Sequence, residues 1–241
     1  NFKLFNKNNI NNKKKNKKFE KKKYISKMNE TENYKVKDIS LIGLTDILSK
    51  AIASVFWFYI ASLMEPSSYG EITYVFSIAG ITSAFALFGS SNTVSIYVAK
   101  KIPIESTLYF ITLLAGIISS IVLFLIFFDV GLSFLNIAIL IFSLIIAELL
   151  GNQLYKTYGK VVIIQKILMV IISISFYHIF GENYLVLGIA LSYFPFLFYI
   201  FKTFSKVKIN FSLLKKKSNF LVSNYAQTLS GAFGSSLDKI I

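Results

Sequence analysis

The sequence predicts an all-α polytopic membrane protein, with six complete transmembrane helices and the start of a seventh, on three observations. Of 241 residues, 54% are hydrophobic and only 16% are charged, against roughly 25% charged in soluble domains. Six stretches are apolar and long enough for a ~30 Å hydrocarbon core, which takes about 20 helical residues. The lysines in loops follow every second stretch. These runs are continuous and lack the alternation of tilted barrel strands, so helices satisfy the backbone in lipid.

Residues 1–38 form a basic, low-complexity segment. Eleven Lys and one Glu in residues 1–27 supply +10 of the formal +14 charge. Their composition, almost all Asn, Lys, Phe, Ile and Tyr, matches codons rich in A and T. Met28 is then the expected start and 1–27 a translated leader or extension. A polybasic tail for an anionic leaflet is the alternative. No folded basic module or aromatic platform accompanies the run, so no nucleic-acid partner is expected.

The spans are read at residues 40–63, 72–98, 108–128, 132–150, 161–180 and 184–201. Together they make a six-helix lobe over 39–201. A basic cytoplasmic linker follows at 202–217, and 218–241 begins a second lobe. The seventh span starts near Phe220 and is still running at Ile241, so the chain reads as truncated. The first span lacks a small-residue cleavage site and is read as retained. Gly89, Ser90, Ser91 and Asn92 interrupt the second span, and Pro195 should kink the sixth. Trp57, Tyr59, Tyr69, Tyr97, Tyr109, Tyr155, Tyr158, Tyr184 and Tyr199 lie near the boundaries, where an aromatic belt belongs. Gly80 with Ala84, and Gly116 with Ser120, give small residues at helical spacing for close packing.

Charge sets the orientation. Lys100 and Lys101 follow the second span, Lys156 and Lys160 the fourth, and Lys202, Lys206, Lys208 and Lys215 to Lys217 the sixth. The other loops carry Glu65, Glu71, Asp129 and Glu182. Short basic loops resist translocation, so the N-terminus is expected in the cytoplasm and the chain in the cytoplasmic membrane, crossing it several times.

Catalytic chemistry is not expected. The chain has no Cys, one His and no Arg. Thiolate metal sites, disulfides and His pairs are thereby excluded, and no phosphate-cradling glycine loop is present. No catalytic residue, metal or cofactor is assigned. His178 reads as an interfacial or packing residue. Glu65 and Glu71 share an outer loop and leave open a membrane glycosyltransferase or polymerase.

Charges within spans are costly and need a partner, a water-filled cavity or an escape to the interface. Asp46 and Lys50 stand one turn apart in the first span. Counting from Ser40 at ~1.5 Å per residue, Lys50 is ~15 Å deep. The two are either a self-neutralised pair or a cationic face turned to an aqueous cavity; both readings turn this face inward. Gln165 and Lys166 lie a turn or two inside the fifth span, where Lys166 either snorkels or lines a cavity. Glu148 and Asn152 mark the inner end of the fourth. The cavity candidates are Asp46, Lys50, Asn92, Gln165, Lys166, Asp238 and Lys239.

Residues 46–54 read DILSKAIAS and residues 227–235 read QTLSGAFGS, sharing Leu, Ser, Ala and Ser at equal offsets. If the seventh span repeats the first after six crossings, the two halves are parallel and flank a central cavity. Three further segments, Leu63–Glu71 with its Tyr69-Gly70 pair, Gly89–Lys101, and Leu237–Ile240, resemble the polysaccharide biosynthesis family of oligosaccharide flippases. That family lies within the multidrug and oligosaccharidyl-lipid exporter superfamily.

The resemblance implies a two-lobe bundle of about twelve to fourteen helices, of which this chain holds the first lobe and the start of the second. It implies a bilayer-embedded transporter moving a polyprenyl-pyrophosphate-linked glycan to the outer leaflet by alternating access. Family members often place Arg in the cavity; here Lys50, Lys166 and Lys239 would meet the pyrophosphate as point charges. Asp238 and Lys239 have the alternative of pairing with each other. A cation-coupled multidrug exporter of the same superfamily, with Asp46 or Asp238 carrying the ion, is the competing reading.

Overall fold

The computed structural model describes residues 38–216, 220–226 and 230. The chain divides into two compact units, Asn1–Leu44 and Thr45–Ile241. Of the first, residues 38–44 are described and are helical. The second holds the bundle.

All regular elements among the described residues are helical. They are α1 (Asp38–Leu63), α2 (Pro66–Leu87), α3 (Ser90–Ala99), α4 (Glu105–Phe127), α5 (Val130–Gly151), α6 (Tyr155–Phe180), α7 (Leu185–Leu191), α8 (Phe198–Lys206) and α9 (Phe211–Lys216). Single 3-10 turns at Glu182–Tyr184 and Phe194–Leu197 flank α7. The six helical segments long and apolar enough to cross a membrane are α1, α2, α4, α5, α6 and the stretch Glu182–Lys206. The chain is therefore an all-α polytopic membrane protein.

Local chemistry sets the ends. Pro66 opens α2, its fixed φ suited to the first helical position, so this helix begins a turn and a half before the apolar run does. Asp129 caps α5 by accepting a hydrogen bond from Leu132 N–H at 3.1 Å. Phe88 and Phe128 close α2 and α4 in the left-handed conformation, at φ 48° and 52°. The fifth span extends back to Tyr155, six residues before the expected start.

Neighbouring helices run in alternating directions, as the lysine pattern requires. Along α4 and α5, Ser119 and Ser120 accept from Asn136, and Tyr109 donates to Glu148, so the pair is antiparallel. Gln165 opposite Ser192 and Gly188 against Ser173 make α6 and α7 antiparallel as well. Odd spans run together: a Cβ at Gly159 would lie 2.9 Å from Thr45 Oγ1, and Tyr177 donates to the Leu63 carbonyl, so α1 and α6 are parallel. Even spans match, since Phe142 packs on Phe196 and Thr203 donates to Glu148. Lys100, Lys156 and Lys202 thereby share one end of the bundle, and Glu71, Asp129 and Glu182 meet at the other around a vestibule of about 380 Å³.

Both expected interruptions are present, with different residues at the first. Span two breaks at Phe88 and Gly89, while Ser90, Ser91 and Asn92 already belong to α3. The freed polar groups are satisfied locally: Thr93 Oγ1 donates to the Gly89 carbonyl and Thr112 Oγ1 to Ser90 Oγ, each at 2.9 Å. In span six, Pro195 lies in the 3-10 turn separating α7 from α8, where its missing N–H and fixed φ stop the α-helical ladder.

The aromatic belt is partly a correction. Tyr97 and Tyr109 are buried in the bundle. Trp57 packs edge-on against Phe56, Tyr69 and Phe76 at 5.2, 6.1 and 5.2 Å between ring centroids. These rings tie helices together.

Candidate functional site

A cleft of about 530 Å³ opens between α1, α2, α6 and α7. Trp57, Tyr69 and Phe76 wall it on one side, and Tyr193, beside the span-six break, on the other. Ser54 and Lys166 are the polar residues toward the middle of the bundle.

Lys166 is the twelfth of the 26 residues of α6, near mid-helix. Its half-buried side chain lines the cleft. It makes no ion pair or hydrogen bond among the described residues.

Asp46 and Lys50 separate. Asp46 is half-buried and accepts a 2.6 Å hydrogen bond from the Tyr158 hydroxyl, joining α1 to α6. Lys50 is exposed and has no partner among the described residues. The self-neutralised pair is thus not formed: Asp46 turns to α6, and Lys50 is left exposed. The α1–α6 register, with 45 beside 159 and 46 beside 158, puts Lys50 on the level of residues 162–164, within a turn of Lys166. Ser54, one turn on from Lys50, is in the cleft wall. The two ammonium groups therefore sit at similar depth on neighbouring helices.

Gln165 is not part of the cleft lining. Its side chain is fully buried, its Nε2 donates to Ser192 Oγ at 3.1 Å, and its Oε1 is buried without a partner. Asn92 is exposed on α3 and takes no part in the cleft. Asp238 and Lys239 lie outside the described residues. Glu65 and Glu71 share no site, because Glu71 lines the acidic vestibule while Glu65 is exposed outside it. His178 is exposed near the end of α6, its Nε2 3.4 Å from the Tyr59 hydroxyl, consistent with an interfacial residue. Among the described residues no cluster of His, Cys, Asp and Glu could hold a metal.

Sequence reasoning missed the cleft aromatics, whose boundary positions read as a belt. It also missed a cluster at the lysine-bearing end, where Tyr109 and Thr203 donate to Glu148 Oε2 at 2.9 and 2.6 Å. The signal there was an acid near a span end with no lysine one turn away. No family model, curated protein or solved structure matches the chain.

Proposed function

We propose that the chain is part of a membrane transporter that flips a lipid-linked oligosaccharide or polysaccharide precursor across the cytoplasmic membrane, its lysine-bearing end on the cytoplasmic side. The observation that carries this reading is Lys166, a half-buried ammonium without an anionic partner among the described residues, in a cleft walled by aromatic rings. A charge at that depth costs about 2.5–3.5 kcal/mol on insertion scales. Water and a counter-anion offset it. A phosphate supplies the anion, Trp57, Tyr69 and Tyr193 offer flat faces to sugar rings, and Lys50 adds a second point charge at similar depth. A polyprenyl-pyrophosphate-linked glycan combines these groups with a tail that remains in lipid. On this reading the chain is the first of two lobes, and the second faces the cleft.

Lys166→Ala and Lys166→Arg in the full-length protein test the proposal in cells whose surface glycan depends on it. Loss of a charge-assisted contact predicts about a tenfold fall in export for Lys166→Ala at equal membrane abundance. Lys166→Arg should retain most of it. Undiminished export in Lys166→Ala sinks the reading.

A cation-coupled multidrug exporter is the second reading, and the Asp46 carboxylate on Tyr158 is the observation in its favour. Its signature is proton- or Na⁺-dependent efflux of an organic cation that Asp46→Asn abolishes. The ammonium in the cleft argues against a cationic cargo.

A further inference from the structure

Helix α8 does not lead the chain away from the bundle. The Thr203 carbonyl accepts from Ser106 Oγ at 3.1 Å, which sets the end of α8 level with the first turn of α4. Val207 is extended, at φ −124° and ψ 126°, and beyond it the chain folds back. Asn210 N–H donates to Thr107 Oγ1 at 2.8 Å, and Phe211 packs edge-on against Phe110 at 6.1 Å between ring centroids. Asn210 also caps α9, its Oδ1 accepting from Leu213 N–H at 3.1 Å. Phe110 stands five residues inside a span that begins at Glu105, about 7.5 Å by helical rise. Interfacial helices lie about 5–10 Å into the boundary between headgroups and acyl chains. The elbow between α8 and α9 therefore runs within the membrane interface.

Its exposed surface is both basic and apolar. Lys202, Lys206 and Lys208 are exposed, and so are Phe201, Ile209 and Phe211. None of the three ammonium groups has a partner among the described residues, and no acidic residue occurs from 198 to 216. The acids that α4 and α5 bring to this end are turned inward: Glu148 Oε2 accepts from Tyr109 and Thr203, and Glu105 Oε2 is buried. Charge is segregated, with these carboxylates inside the bundle and the lysines on its surface.

We propose that this elbow, residues 198–211, binds the headgroups of anionic phospholipids in the leaflet at the lysine-bearing end. Lys202, Lys206 and Lys208 take the phosphates, and Phe201, Ile209 and Phe211 lie among the acyl chains. Charge complementarity selects the occupant. Exposed rings at interfacial depth suit lipid of any kind, whereas uncompensated ammonium groups favour a negative leaflet, by about fivefold in partition for each lysine engaged. An acidic soluble protein would satisfy the lysines and leave the rings without a partner. This inference goes beyond the transport proposal and does not depend on it.

The chain has no cysteine, so one engineered thiol can carry a fluorophore. Ile209→Cys reports the elbow, and Ile179→Cys, exposed at the far end of α6, reports the opposite end of the bundle. The full-length protein is reconstituted in vesicles of phosphatidylcholine and phosphatidylglycerol in equal parts, with bromine quenchers on the acyl chains of one lipid or the other. At position 209 brominated phosphatidylglycerol should be the better quencher by about fivefold or more, and salt should erode the preference. Position 179 should show none. Lys202→Gln, Lys206→Gln and Lys208→Gln together should bring position 209 to parity, and the three corresponding Arg substitutions should keep the preference. No quenching by either lipid at 209 would put the elbow in water. Equal quenching by both, or a preference that resists salt, would remove the role of charge, and an equal preference at 179 would remove the role of the elbow. Each of these outcomes overturns the proposal.

Discussion

Helices α5 and α1 are both apolar spans, of 22 and 26 residues, yet 56% of one spanning window is buried in the bundle and 17% of the other. Apolarity does not explain the difference. Helix α4 is the most apolar span, with mean hydropathy 2.7, and only 22% of its window is buried. Lipid tails are as apolar as leucine, so no hydrophobic force sorts these helices. What distinguishes α5 is how its polar and small residues are used. Asn136 donates to two serines, Glu148 accepts from two hydroxyls, and Gly151 admits α3. Helix α1 is tied to α6 by Tyr158 on Asp46 and Tyr177 on the Leu63 carbonyl, yet leaves Lys50 outside.

The largest test of this contrast compares two glycines. A Cβ at Gly151 would stand 2.6 Å from the Ser95 carbonyl oxygen and 2.9 Å from Val98 Cβ, neither of which turns aside. A Cβ at Gly159 would meet Thr45 Oγ1 at 2.9 Å, an atom a rotamer change can move. Gly151→Ala should lower unfolding free energy by about 1–3 kcal/mol, as overpacking does. Gly159→Ala should stay within about 0.5 kcal/mol of the parent. Thermal unfolding in one detergent measures both, and equal losses would break the distinction between centre and periphery.

Two tyrosines give the next effect. Tyr158 is the one side-chain donor to Asp46 among the described residues, whereas Glu148 keeps Thr203 when Tyr109 is removed. Tyr158→Phe should cost about 1 kcal/mol, and Tyr109→Phe about half that, because hydrogen bonds between membrane helices are modest and the second donor compensates. Steric-trap or mild denaturant titration resolves the order. A larger loss at Tyr109 would place the weaker join at the centre.

Most of the fold was legible because bilayer thickness, positive charge and helix-breaking residues act locally. The six spans, their alternation, and the breaks near Gly89 and at Pro195 follow from lengths, lysines, one glycine and one proline. Helix neighbours were not legible. That Asp46 would choose Tyr158 over Lys50 depends on α1 and α6 being adjacent and in register, separated by 112 residues of chain. An i to i+4 pair is visible in any helix, but a tertiary hydroxyl at 2.6 Å outcompetes it. The start of α6 was placed too late for a related reason: the helix carries Tyr155, Lys156 and Lys160 ahead of its apolar run, and helices do not stop where hydropathy does.

The smallest effect in stability concerns Lys50, and it separates two kinds of exposure. Lys50 and Val55 are both exposed on α1, and burial alone cannot say which meets lipid. Val55 lines an apolar groove with Val170 and Ile174 of α6. Lys50 precedes Ser54 by one turn on the side where Ser54, Phe58 and Ala61 border the cleft. A thiol reacts with a charged maleimide only as a hydrated thiolate. Lys50→Cys and Ser54→Cys should therefore be labelled in membranes and Val55→Cys should not, while all three stay within about 0.5 kcal/mol of the parent in stability. Equal labelling at 50 and 55 would put the whole outer face of α1 in one solvent. Lys50 would then have no closer relation to the cleft than Val55 has, and α1 would be peripheral in solvation as well as in packing.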